Sequence, residues 1–335
     1  MGKSDVDIHV EDIAVANAGK IAILFGLLAV IAAGPVQAQD GKTLTITDDR
    51  GVKVEVPLQP KRIASISYFA DDVALALGIK PVASTYMTAG REPDFLLGLT
   101  AGMKQIGQRA KPNLELLSEA KPDLIVAIRR YTVGNAPQLE KIAPYVAYNM
   151  ELLDGSDREI AELSRILGNP ERGLQLNKEF REHLAEFAAK APKDVHPRFA
   201  IMWGGETPFA FYTENTAASI VAAIGGENIV GNMTPGGEFG IDLSLETMLE
   251  NDPEVLFIYD SGPDRPHEDN PIWQELTAVK NKRVFYVGDQ WVETNGPISR
   301  EIVLREAAHY LYPDVFPVVD VRAEAAKIVP AEAQK

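Results

Sequence analysis

The chain reads as α/β, with two α/β lobes of mostly parallel sheet joined by one long helix. Three observations predict this. Short β-rich runs alternate with helical patterns through the first half, a long amphipathic helix follows, and the alternation then restarts. At 335 residues the chain is long enough for two domains.

Residues 21–33 form one uncharged apolar run, preceded by Lys20 and followed by Pro35 and Val36-Gln37-Ala38. That is the layout of a cleaved secretory signal. The run is too short to span a bilayer, which takes roughly 20 residues. A signal peptide over 1–38, cleaved near Ala38, is expected. The leader is acidic, with Asp5, Asp7, Glu11 and Asp12 against Lys3 and Lys20. An initiation codon assigned upstream of the true one would account for that.

The first lobe is expected over 39–168. Residues 43–56 read as a hairpin, because alternating apolar positions flank the turn Asp48-Asp49-Arg50-Gly51. A β-rich run at 62–67 precedes a helix at 71–77 that stops at Gly78, and a strand follows at 82–85. Asn113 is a plausible N-cap for a helix at 114–120. Residues 124–128 are continuously apolar, as in a buried parallel strand, and a short helix at 138–142 ends before Pro144.

The connecting helix is expected over 169–192. Leu176, Phe180, Leu184 and Phe187 recur at helical spacing with charged residues between them. The second lobe is expected over 193–318, with strands at 199–203, 209–212, 255–259 and 284–287. Helices are expected at 217–224, 245–250, 273–278 and 300–311, and residues 319–335 remain as a tail. A single stiff connector predicts lobes that move little against each other.

Hydrophobic residues make up 46% and charged residues 24%, enough to bury a sizeable core. The net charge is −15, most of it outside the leader, which argues against nucleic acid or an anionic membrane as partner. There is no cysteine, so neither a disulfide nor a lipid-modified cysteine can form. No two of His9, His183, His196, His267 and His309 have metal-ligand spacing, so no protein-held metal is expected. The G-x-S-x-G, G-x-G-x-x-G and phosphate-loop patterns are absent.

Several stretches resemble one family. Residues 45–56 followed by Pro60-Lys61-Arg62-Ile63, then Leu77-Gly78-Ile79-Lys80-Pro81-Val82, look like its opening. The most specific match is Ile106-Gly107-Gln108-Arg109, then Pro112-Asn113-Leu114-Glu115-Leu116-Leu117, then Lys121-Pro122-Asp123-Leu124-Ile125. Gly225-Gly226-Glu227-Asn228 and Leu243-Ser244-Leu245-Glu246 continue it. These residues resemble the iron-siderophore and cobalamin binding proteins of ABC importers. Pro271-Ile272-Trp273 through Asp289-Gln290-Trp291 is similar to the ferric dicitrate and ferric hydroxamate members. The likeness covers nearly all of 43–315.

The resemblance implies a ligand cleft between the lobes, lined by loops at the C-terminal ends of parallel strands. It implies a ferric siderophore held through its chelator, with no resident cofactor and no catalysis. Citrate- or hydroxamate-type chelates are favoured. The chain would be a monomer, free in the periplasm, that hands its ligand to a permease in the inner membrane. Cobalamin or haem is the alternative, with Tyr68 or Tyr131 as a haem ligand, and an exported chelate-processing enzyme is the remote one.

Arg109 reads as a surface arginine or as a guanidinium fork to chelate oxygens, and the resemblance favours the fork. Arg129, Arg130 and Tyr131 follow a buried strand directly, and one arginine of the two is expected to face the cleft together with Tyr131. Ser67 and Tyr68 end an early strand. Trp203, Phe239 and Trp291 are expected as stiff apolar walls or as core. Arg91 and Tyr212 are weaker candidates for reaching the ligand. Glu115 and Glu246 each open a helix, where an acid complements the helix dipole. The resemblance makes them the residues that dock on the permease.

Overall fold

The computed structural model describes residues 42–233 and 240–334. The leader and Phe239 lie outside the described residues.

The hairpin forms as β1 (Thr43–Thr47) and β2 (Lys53–Pro57), antiparallel, with Thr43 opposite Pro57. Gly51 takes φ of 76° in its turn, a conformation glycine adopts without a Cβ penalty. Next come β3 (Ile63–Ile66), α1 (Tyr68–Ala76) and β4 (Ala83–Tyr86). After them are β5 (Lys104–Gln108), β6 (Lys111–Pro112) and α2 (Leu114–Glu119). Asn113 caps α2, its Oδ1 accepting from the backbone N–H groups of Glu115 and Leu116 at 3.0 Å. The lobe closes with β7 (Leu124–Ile128), α3 (Arg129–Thr132), α4 (Ala136–Leu139), β8 (Tyr145–Tyr148) and α5 (Leu153–Ile166). Its sheet runs β6-β5-β4-β3-β7-β8, parallel except for β6.

The long helix α6 (Pro170–Lys190) starts with proline in its first turn, where the missing N–H costs nothing. Beyond it lie β9 (Arg198–Trp203), β10 (Phe209–Phe211), α7 (Thr216–Ala223), β11 (Glu227–Asn228) and β12 (Gly240–Asp242). Then follow α8 (Leu245–Asn251), β13 (Val255–Tyr259), α9 (Thr277–Lys280) and β14 (Val284–Val287). The second sheet runs β12-β10-β9-β13-β14, with β11 also on β9. Its β9, β11, β13 and β14 pairings are parallel, and β10 is antiparallel to both neighbours.

The final helices are α10 (Pro297–Leu311) and α11 (Val321–Ile328). They join the lobes a second time, in addition to α6. Asp72 of α1 caps α10, accepting from the N–H groups of Ile298 at 2.7 Å and Ser299 at 2.9 Å. Arg300 of α10 is fully buried and bonds Asp157 of α5 and Asn177 of α6, each at 2.7 Å. Helix α11 returns to the first lobe, where Arg322 donates to the carbonyl of Leu97 at 2.7 Å. One apolar cluster, holding Leu75, Phe95, Tyr259, Ile302 and Val329, spans both lobes and α11.

Two expectations shift. Residues 273–278 form a 3₁₀ turn at Trp273–Glu275 and then α9, rather than one helix. Helix α1 starts at Tyr68, three residues before the expected 71. Arg129 and Arg130 open a helical turn directly after β7, which ends at Ile128 as expected. No helix among the described residues is long and apolar enough to cross a membrane.

Candidate ligand-binding site

Strands β3, β5, β7 and β9 all end at one cavity of about 320 Å³, within the range of small-molecule sites. Its position follows from the topology, because the loops at the C-terminal ends of parallel strands are where such sheets bind ligands.

The first lobe supplies Ser67, Arg109, Arg130 and Tyr131. Ser67 sits just past β3 at φ 146° and ψ 163°, a region that favours glycine. Its hydroxyl caps α1, accepting from the N–H of Phe69 at 3.2 Å, and lies 3.0 Å from the sulfur of Met150. Met150 also lines the cavity at positive φ, 57°. Two non-glycine residues in unfavourable backbone conformations thus touch each other at the site, where such strain tends to concentrate.

Arg109 follows β5. Its Nη1 donates to Oε1 of Glu293 at 2.8 Å, and both side chains are buried. The second oxygen of Glu293 accepts from the backbone N–H of Tyr68. Arg130 pairs with Glu151 at 2.6 Å. Burial raises the Glu151 carboxyl to about 7, although the arginines beside it, Arg130 first, pull the other way. The Tyr131 ring meets both guanidinium groups, with Arg130 at 4.6 Å and Arg109 at 5.3 Å from its centroid.

Across the cavity stands Trp203, at the end of β9, tilted against Tyr259 with ring centroids 4.5 Å apart. Phe209 and Phe211 of β10 continue the wall, edge to face at 5.5 Å. Asn215, Thr207 and Asn295 add polar groups.

Of the residues singled out from sequence, Ser67, Arg109, Arg130, Tyr131 and Trp203 come together here. Tyr68, Trp291 and Arg129 do not line the cavity. Because α1 begins at Tyr68, that ring turns into the apolar cluster between the lobes, packing edge-on against Phe95. Trp291 is fully buried in the second lobe. It stacks on Phe257 at 4.6 Å and donates from Nε1 to Glu306 at 2.8 Å. A 3₁₀ turn over Asp289–Trp291 folds the indole inward instead of leaving it at the strand end. Arg129 fans away from Arg130 on α3 and bonds Asn149 at 2.7 Å.

The two weaker candidates also lie elsewhere. Tyr212 is buried in a core cluster of the second lobe. Arg91 bridges the lobes, reaching Asp289 at 2.6 Å and the Tyr259 hydroxyl at 2.5 Å. Glu115 and Glu246 are exposed in the first turns of α2 and α8, behind the caps Asn113 and Ser244. The carboxylates Glu151 and Glu293 were missed from sequence.

Among the described residues no cluster of His, Cys, Asp and Glu is arranged to hold a metal ion. What the cavity offers is two guanidinium groups, an aromatic surface and hydrogen-bonding side chains, a set suited to oxygen-rich organic ligands.

A family model described as "Periplasmic binding protein" matches residues 63–291. The chain is 27% identical over 286 residues to the Fe(3+)-citrate-binding protein YfmC of Bacillus subtilis, covering 83% of this chain and 89% of that protein. It is 26% identical over 261 residues to the vitamin B12-binding protein of Vibrio vulnificus strain YJ016, covering 73% and 88% respectively. Among solved structures, the triscatecholate siderophore binding protein FeuA of Bacillus subtilis, complexed with ferri-bacillibactin, superposes with a TM-score of 0.70. It is 19% identical and covers 81% of this chain and 98% of its own.

Proposed function

The chain belongs to the periplasmic binding protein family, and from that premise we propose that it captures a ferric siderophore between its lobes and delivers it to an ABC importer. The observation that carries this reading is the convergence of Arg109, Arg130 and Tyr131 opposite Trp203 in one cavity. Guanidinium donors suit the negatively polarised oxygens around chelated iron, and aromatic walls suit the organic backbone of the chelator. Iron is then held by the chelator and is cargo. The protein acts by binding and release, without a resident cofactor.

The absence of cysteine supports a chain free in the periplasm after removal of the leader, because no lipid anchor of the cysteine type can be attached. Exposed Glu115 and Glu246, one on each lobe, are the proposed contacts to the permease. An acid on a helix N-terminus is stabilised by the helix dipole and stays available for a basic partner.

Cobalamin is the second reading, favoured by the likeness to a vitamin B12-binding protein. Titration of tryptophan fluorescence separates the two. Ferric siderophores are expected to quench at micromolar ligand or below. Quenching by cobinamide or haem with none by any ferric siderophore would overturn the proposal.

A further inference from the structure

Among the described residues, the lining of the cavity includes two arginines and two glutamates, each arginine in an ion pair with one glutamate. Arg109 is paired with Glu293 at 2.8 Å and Arg130 with Glu151 at 2.6 Å. Glu293 cannot swing aside cheaply. Its other oxygen accepts from the N–H of Tyr68, and the whole side chain is buried. Release would leave a buried donor unsatisfied. The rest of the wall is largely uncharged aromatic and apolar surface, including Phe69, Tyr131, Trp203 and Phe209.

We infer that this cavity selects ferric chelates of near-zero net charge and rejects polyanionic ones, with Glu293 and Glu151 as the residues that set the preference. The inference rests on the siderophore reading above and narrows it. Three hydroxamates, each losing one proton, cancel the charge of Fe(III). Three catecholates, each losing two, leave a trianion, and the surplus carboxylates of ferric dicitrate leave an anion. A polyanion entering here finds its attraction to the two guanidinium groups offset by repulsion from the two carboxylates, so the cavity repays little of the cost of desolvating its charge. A neutral tris-hydroxamate keeps polarised oxygens for Arg109 and Arg130 without that repulsion. The two glutamates therefore act by exclusion, which is how specificity between related ligands is often set.

The test is a set of equilibrium titrations on the leader-free protein at pH 8, where Glu151 is mostly ionised. The probes are ferrichrome and ferrioxamine E as neutral tris-hydroxamates, ferric dicitrate, ferric enterobactin and cobinamide. The wild type is expected to bind a neutral chelate at least tenfold more tightly than either anionic one. Glu151→Gln and Glu293→Gln are each expected to narrow that gap several-fold. Should Glu293→Gln fail to fold, Glu151→Gln decides alone. Equal or tighter binding of an anionic chelate by the wild type overturns the charge selection and leaves the siderophore reading standing. So does an unchanged gap in a folded variant. Binding of cobinamide with no ferric chelate bound, or no binding at all, removes the siderophore reading and this inference with it.

Discussion

Arg109, at the end of β5 in the first lobe, donates to Glu293, in the stretch between β14 and α10, across 2.8 Å. The pair closes one side of the cavity and is buried at both ends. A buried charged donor already aimed into the site needs no reorganisation to meet a chelate oxygen.

Replacing Arg109 by alanine should therefore weaken ligand binding by roughly 10- to 100-fold, the scale of one charge-assisted hydrogen bond, about 1.5–3 kcal/mol. Arg109→Lys should recover only part of this, since an ammonium lacks the planar fork. Fluorescence titration reads the affinity, and a thermal melt on each variant shows that the fold is retained.

Arg129 and Arg130 are adjacent yet unequal. Only Arg130 lines the cavity, while Arg129 bonds Asn149 on another face of α3. Arg130→Ala is expected to lower affinity at least tenfold, and Arg129→Ala to leave it within about twofold, as for an exposed charge outside the cavity lining. Comparable losses in both would mean that the cavity is lined differently on binding.

The tryptophans divide in the same way. Trp203 stands at the cavity wall, and Trp291 is sealed in the second lobe against Phe257 and Glu306. Trp203→Phe should abolish most ligand-induced quenching. Trp291→Phe should keep the quenching but cost about 1–3 kcal/mol, because the buried carboxylate Glu306 loses a donor. Emission spectra with and without ligand, alongside a urea melt, separate the two effects.

Stability should fall as pH rises. Burial, the dominant cause in each case, raises Asp72 to about 6, Glu151 to about 7 and Glu159 to about 8. Between the unfolded carboxyl range near about 4 and those values, the native state binds more protons than the unfolded one. Unfolding free energy therefore decreases with pH across that window. The melting temperature at about pH 5.5 should exceed that at about pH 8 by several degrees, and calorimetry across the range checks the sign. Replacing Glu159 by glutamine should flatten the upper part of the curve.

The strands that build the two sheets were legible where apolar runs were continuous, as at Leu124–Ile128 and Val255–Tyr259. Strand β8 and helix α5 were not. After Leu153, helix α5 runs through Asp154, Gly155, Ser156 and Asp157, all weak helix formers. Arg130 and Trp203 could be found because the residues at or after a parallel strand's end face the cleft. The same rule misplaced Trp291, since the chain turns inward over Asp289–Trp291 before that position is reached. Glu293 carries no such signature. Its role shows only through a partner 184 residues away in sequence. The strain at Ser67 is likewise invisible until the backbone is in place.

Native mass spectrometry of the leader-free protein, mixed with equal amounts of ferric siderophores, cobinamide and haem, distinguishes a siderophore carrier from a corrinoid or haem carrier. One adduct per chain is expected, with the mass of a ferric siderophore and an isotope pattern that contains iron. A corrinoid or haem adduct in its place, with no ferric siderophore retained, would contradict the siderophore reading.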